Sequence, residues 1–215
     1  MSGRNPLHLL RTALRNPAAC RLAYMAIRRH YAVQSLWELT QLLAEVTGLR
    51  PSVIMEIGTH RGGTLYCWSR ILPPDASLVS LDLPADPKDP HTTAAALEKL
   101  IASKTQKCSF IRDDSHAIST LDKVKAALAG RPVDFLLIDG DHSYAGVKLD
   151  FEMYRGLVRS GGLIAFHDVA PNPGVPEYGV AKFWQELKKT EHTHEYIDPH
   201  PVGPAGMGIG VVAVP

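Results

Sequence analysis

The sequence predicts a doubly wound α/β domain preceded by helices, and three observations carry that prediction. Apolar runs recur at 53–57, 78–83, 108–111, 133–138, 162–166 and 209–214, without the polar alternation of half-exposed strands. Segments with helical spacing lie between them at 64–71, 92–104, 116–129, 144–158 and 181–189. Strands that are apolar throughout and alternate with helices form a parallel sheet covered on both faces. Polar residues also gather where the apolar runs stop, and ligands of such sheets bind beyond the carboxyl ends of the strands.

Length and composition bound the problem. A chain of 215 residues that is 45% hydrophobic can bury one substantial core, with one domain of roughly 150 to 200 residues plus an appendage. The 23 Lys and Arg against 22 Asp and Glu leave a net charge of +1, which argues against a nucleic-acid binder that works by neutralising phosphates. Cys20, Cys67 and Cys108 are far apart and lack CxxC spacing, so neither a disulfide framework nor a thiolate zinc site is indicated. No apolar run approaches the roughly 18 to 20 residues of a membrane span, and the N-terminus lacks the pattern of a secretory signal. The expectation is a soluble, cytoplasmic protein.

Residues 1–50 form an N-terminal helical appendage and 51–215 the main domain. Through Tyr31 the chain holds Arg4, Arg11, Arg15, Arg21, Arg28 and Arg29 and no acid, while Leu9, Leu10, Ala13, Leu14, Leu22, Met25 and Ala26 recur at helical spacing. Such an appendage serves as a lid, as a dimer arm that makes a homo-oligomer, or as a membrane-surface helix; it also suits a helix packed on its own domain with arginines in solvent. A further helix is expected over 35–47, with Gly48 as its stop and Pro51 beyond. The Pro-rich and Asp-rich stretches 83–92 and 167–179 are loops.

Each strand end carries chemistry. The first continues as MEIGTHRGGT, with Glu56 at the tip, Gly58 and Gly62 in the turn and Thr64 opening a helix. A glycine-rich strand-to-helix turn lets a ligand approach the backbone and meet helix N-terminal N–H groups. The turn is not GxGxxG; an acid with ExGxxxG spacing suits a ligand with a cationic amino-acid end better than a pyrophosphate. The second strand ends in Asp82, about 25 residues after the glycine turn, where nucleotide folds grip ribose hydroxyls. The third ends IRDDSHA, with Asp113, Asp114 and Ser115; the fourth breaks into Asp139, Gly140, Asp141 and His142; the fifth ends in His167 and Asp168. Unpaired charges are too costly for a strand interior, so these clusters belong at the mouths of the strands.

Taken together, MEIGTHRGGT, SLDLP, IRDDSHA, FLLIDGDHSYAGVKLDFEMYRGLVRSGGLIAFHDV and the closing GMGIGVVAV resemble class I S-adenosylmethionine-dependent methyltransferases, over about residues 50–214. The likeness is greatest to small-molecule O-methyltransferases of the macrocin and mycinamicin type and to the cephalosporin-hydroxylase-like group. It implies a Rossmann-like sheet, mostly parallel with an antiparallel C-terminal strand, and S-adenosylmethionine as cofactor. It implies that Glu56, Gly58, Gly62 and Thr64 form the cofactor turn, that Asp82 holds the ribose and that Asp114 and Ser115 border the adenine. It also implies Asp139 as first metal ligand, His142 as base and Asp168 as a second ligand. Where the macrolide-sugar enzymes have an acidic pair, this chain has His167 and Asp168, which adds His167 to the metal candidates and widens the choice from Mg2+ to another divalent cation or none.

The implied chemistry is coherent. Methyl transfer to a hydroxyl needs the acceptor oxygen aligned behind the methyl carbon, and that oxygen is a poor nucleophile until a base takes its proton or a cation stabilises the alkoxide. His142 titrates near neutral pH, and an ion on Asp139 and Asp168 would favour the alkoxide. The partner is then a small molecule with a hydroxyl. Structural roles compete: Asp141 and Ser143 also suit caps of the helix from Tyr144, His142 a loop, His167 a packed imidazole, and His116, His192, His194 and His200 the surface. Two other classes share the features. A nicotinamide-dependent oxidoreductase would use the same sheet and Asp82 but requires GxGxxG, and a non-catalytic binding protein on the same scaffold would have no need of both Asp139 and His142.

Overall fold

The computed structural model describes residues 6–171, 178–199 and 207–215. Three helices come first: α1 (Pro6–Arg15), α2 (Pro17–Arg29) and α3 (Leu36–Leu49). Then β1 (Val53–Ile57), α4 (Gly63–Ile71), β2 (Ser77–Asp82), α5 (Ala94–Glu98), β3 (Lys107–Arg112), α6 (Ile118–Leu128), β4 (Val133–Ile138), α7 (Tyr144–Tyr154) and β5 (Val158–His167) alternate. The chain closes with α8 (Val180–Leu187), β6 (His192–Tyr196) and β7 (Ile209–Ala213).

The seven strands form one sheet in the order β3-β2-β1-β4-β5-β7-β6. All pairs from β3 to β5 are parallel, and β7 runs antiparallel between β5 and β6. This is the doubly wound arrangement expected, including the antiparallel last strand. Its cause is visible in β1, where Val53, Met55 and Ile57 point into one core and Ile54 into the other. Side chains alternate across a strand, so a strand with apolar residues pointing both ways must be covered on both faces. The order reverses at β1 and β4, and the crevice beyond their carboxyl ends is the switch point where such sheets bind ligands.

Helix α2 packs on the domain: Ala23 and Ala26 are fully buried in the same core as Leu39, Leu43 and Trp68. The packed-helix reading of the appendage therefore holds for α2. Among the described residues no helix is long and apolar enough to cross a membrane.

Several boundaries differ from expectation. Gly48 does not stop α3; the helix runs on to Leu49, and Arg50 takes the left-handed cap conformation at φ 53°. The expected helix 92–104 shrinks to a 3-10 turn at Pro90–Thr92 and the short α5, in which only Leu97 is buried. With one core contact there is little packing energy to extend the helix. Strand β6 escaped the periodicity reading because it lies on the sheet edge, where HTHEY needs no apolar run. His200 and the loop segment 172–177 lie outside the described residues.

Candidate active site

One cavity of about 980 Å³ opens over the carboxyl ends of β1, β2, β3, β4 and β5. Gly58, Thr64, Asp82, Asp114 and Ser115 line one part of it, and Asp139, His142, His167 and Asp168 another. Five strand ends distant in sequence thus deliver their polar residues to one space, because the strands run parallel and end on the same edge of the sheet.

The glycine turn explains itself by close approach. Gly58 sits at φ 88°, and a Cβ there would lie 1.9 Å from the Asp139 carbonyl oxygen. That absence of side chain lets the ends of β1 and β4 come together. The turn is tied down from β2: Asp82 Oδ2 accepts from the backbone N–H groups of Thr59 (2.9 Å) and His60 (2.6 Å), and Oδ1 from that of Leu83 (2.8 Å). Asp82 still lines the cavity, half-buried.

Glu56 is placed differently from its neighbours in the motif. It is fully buried, and its Oε2 accepts from Thr64 Oγ1 (2.8 Å) and Trp68 Nε1 (2.9 Å). Its Oε1 has no hydrogen-bond partner, and burial pushes its pKa up to about 7. Glu56 and Gly62 lie outside the cavity lining. Glu56 holds the first turn of α4 from beneath.

At the end of β4 and β5 the charges meet. His142 Nε2 lies 3.1 Å from Asp168 Oδ2 and 3.5 Å from Asp139 Oδ1, while His167 Nδ1 lies 3.3 Å from Asp139 Oδ1 and 3.5 Å from Asp168 Oδ1. Two imidazoles and two carboxylates form a closed ring of contacts. Hydrogen bonds to Asp139 and Asp168 raise the His142 pKa to about 9. Burial pulls His167 the other way, but the same two carboxylates prevail and push it up to about 10. Burial likewise opposes ionisation of Asp139 and Asp168, yet the imidazoles hold both below the usual carboxylate range. Asp168 takes up this position at φ 60°, a left-handed conformation unusual for a residue with a side chain.

One ligand atom from each of Asp139, His142 and Asp168 falls within 4.8 Å of the others. Two carboxylate oxygens and an imidazole nitrogen are a donor set that suits a divalent cation such as Mn2+ or Fe2+, and Mg2+ with water completing its shell. His167 is not part of that group; its Nδ1 faces the two carboxylates, the residue is 6% exposed, and its Nε2 is unpartnered.

Ser143 caps α7 by accepting from the Gly146 N–H (3.0 Å) and so has the capping role expected, whereas Asp141 accepts from the Ser143 N–H (2.8 Å) and closes the turn before the helix. Three site residues left no signal in the sequence. Gln34, from the segment between α2 and α3, donates to Asp139 across 105 positions. Tyr178 stacks on His142 with ring centroids 4.7 Å apart. His116, expected at the surface, lines the cavity.

Residues 55–169, more than half of the chain, match the family described as "Methyltransferase domain". The chain belongs to this methyltransferase family. A rhamnosyl O-methyltransferase of Mycobacterium tuberculosis (strain ATCC 25618 / H37Rv) is 22% identical over 161 residues, which cover 73% of this methyltransferase chain. The chain spans 61% of that relative's length and 16% of another curated relative's. Among solved structures, the O-methyltransferase TomG from Streptomyces achromogenes, in complex with S-adenosylmethionine, superposes with a TM-score of 0.59 at 18% identity, covering 92% of this chain and 90% of its own. MycE from the mycinamycin biosynthetic pathway, in complex with Mg, S-adenosylhomocysteine and mycinamycin VI, gives 0.61 at 18% identity, covering 93% of this chain and 54% of its own. At these identities the likeness is one of fold.

Proposed function

We propose that this methyltransferase transfers a methyl group from S-adenosylmethionine to a hydroxyl of a small molecule, a sugar or sugar-bearing natural product. The convergence of Asp139, His142 and Asp168 in the cavity that also holds the glycine turn and Asp82 carries the reading. Relatives named for rhamnosyl and mycinamycin chemistry support the choice of acceptor.

The donor lies along the ends of β1, β2 and β3. Its amino-acid end faces Gly58 to Thr64, Asp82 accepts from the ribose hydroxyls, and Asp114 and Ser115 border the base. S-adenosylmethionine supplies an electrophilic methyl carbon, and the chain's task is to hold the acceptor oxygen in line with it. Asp139 and Asp168 would hold a divalent cation, whose positive charge stabilises the developing alkoxide. His142 then takes the acceptor proton. Two ionised carboxylates keep it protonated, so it can act as a base only when their charge is offset. The N-terminal segment 31–34 walls the cavity, which supports a lid role for the appendage.

A second reading is favoured by the orientation of His142. Its Nε2 is the ring atom turned toward both carboxylates, which suits a third ligand as well as a base. Mn2+ titration of His142→Ala separates the two: removing a base does not weaken metal binding, removing a ligand does. The overall proposal is tested by incubating the protein and Mn2+ or Mg2+ with methyl-labelled S-adenosylmethionine and a panel of rhamnosides and macrolide glycosides. Label transfer to an acceptor oxygen supports it; binding of neither S-adenosylmethionine nor S-adenosylhomocysteine in calorimetry overturns it.

A further inference from the structure

Asp150 is a buried acid that the proposed chemistry does not use. It lies on α7, is 0% exposed, and neither carboxylate oxygen has a hydrogen-bond partner. An ionisable group is not buried this way without cost, and burial pushes its pKa up. What it faces gives the reason. His116 Nε2 lies 3.4 Å from Asp150 Oδ1, and the other ring nitrogen, Nδ1, lies 3.8 Å from Asp114 Oδ1. The imidazole therefore stands between one acid sealed in the protein and another on the cavity wall. The backbone agrees: the His116 N–H donates to Asp114 Oδ1 at 2.9 Å, and Tyr154, also on α7, donates from its hydroxyl to the Ser115 carbonyl at 2.7 Å. Helix α7 thus meets the loop 114–116 at two points, by the Tyr154 hydrogen bond and by the approach of the Asp150 carboxylate to the imidazole at 3.4 Å.

We propose that Asp150 and His116 are positioning residues for the nucleobase of the donor: Asp150 orients the His116 ring, and His116 orients the Asp114 carboxylate so that its Oδ2 accepts from the exocyclic amine of a purine. This rests on the donor reading above, which places Asp114 beside the base. Asp114 is exposed, its side chain 63% accessible; the His116 main-chain N–H holds its Oδ1, and the imidazole 3.8 Å away closes that side of the carboxylate, so that Oδ2 is the oxygen left to the base. The pair thus completes the constraint that the main chain begins, and selectivity for an amino-bearing base follows because a carboxylate accepts from an amine but meets a carbonyl oxygen with repulsion.

The test uses S-adenosylhomocysteine and its deaminated counterpart, S-inosylhomocysteine, titrated calorimetrically into the full chain. The native protein should prefer the adenosyl ligand by at least about tenfold, the scale of one hydrogen bond to a charged group. Asp150→Asn, which is isosteric, and His116→Ala should each reduce the preference to less than about threefold and leave the affinity for S-inosylhomocysteine unchanged. Variants that keep the native preference, or that weaken both ligands equally, would show the pair to be scaffold only. A native protein without preference overturns the inference as well. Failure of S-adenosylhomocysteine to bind the native chain at all is a different result, and it removes the donor reading together with this one.

Discussion

Gln34 Nε2 donates a 3.1 Å hydrogen bond to Asp139 Oδ2, so the segment joining the N-terminal helices to the domain reaches the carboxylate at the end of β4. Gln34 is 8% exposed, and beside it Ala32 occupies the space a Cβ of Gly63 would need, its backbone nitrogen 2.4 Å from that point. The appendage is thereby fitted to the site rather than merely attached to the domain. Gln34→Leu should destabilise the chain by about 1 to 3 kcal/mol in urea denaturation, because the half-buried Asp139 carboxylate loses a donor. A midpoint and slope equal to the native ones would show that the contact contributes nothing.

Asp82 should govern donor affinity. Asp82→Ala removes the acceptor proposed for the ribose hydroxyls together with the anchor of the Thr59 and His60 N–H groups. S-adenosylhomocysteine should bind at least about tenfold more weakly, on the order of 1.4 kcal/mol. Calorimetry giving the native constant would displace the donor from this end of the cavity.

A divalent cation should bind between Asp139 and Asp168. Mn2+ titrated into the chelated protein and followed by electron paramagnetic resonance should show one site, lost in Asp168→Ala. Turnover should fall on chelation and return with added Mn2+ or Mg2+. Full turnover in protein shown free of metal by elemental analysis would leave the carboxylates as contacts to substrate.

His142→Ala should lower the single-turnover rate by roughly 10² to 10⁴ with donor affinity nearly constant, the usual contribution of general-base catalysis. The dependence on pH separates base from loop residue. A rate that rises with pH through the histidine titration in the native protein, and is flat in the variant, is the expected pair of profiles. A variant that retains most of its rate assigns the proton to another acceptor.

Glu56 makes a prediction about stability. Its folded pKa of about 7 stands above the ordinary glutamate value near 4.5 because the carboxyl is fully buried. A raised folded pKa means that the stabilisation is complete below the unfolded pKa and is lost as pH rises through the folded one. Unfolding free energy should therefore decline between about pH 4.5 and 7, by on the order of 3 kcal/mol from this group. Glu56→Gln should flatten that part of the profile, and an unchanged decline would assign it to other residues.

Much of this was legible in the sequence. Val53–Ile57 and Val133–Ile138 carry apolar residues on both faces because both faces of the sheet are covered, the two acids among them, Glu56 and Asp134, being buried with hydrogen-bond donors, and their limits coincide with β1 and β4. Asp82, Asp139 and Asp168 were legible for the converse reason: each follows such a run, at or just beyond its last residue, where a charge can reach water or a ligand. Strand β6 was not, since an edge strand meets no such requirement. Nor was the span of α3, whose end at Leu49 depends on what Arg50 can adopt rather than on Gly48.

What the sequence determined by itself is whatever depends on neighbours along the chain: the α/β alternation, the glycine turn, the Ser143 cap and the acids at the strand ends. Tertiary structure alone decided which of these meet. Gln34 with Asp139, Asp150 with His116 and Tyr178 with His142 are separated by 105, 34 and 36 positions, and nothing in the local pattern of any one of them marks its partner. The same holds for charge. His142 looks like a histidine near its ordinary pKa until β4 and β5 lie side by side and bring Asp139 and Asp168 to its Nε2, because electrostatic energy depends on distance in space and on burial, and a linear sequence contains neither.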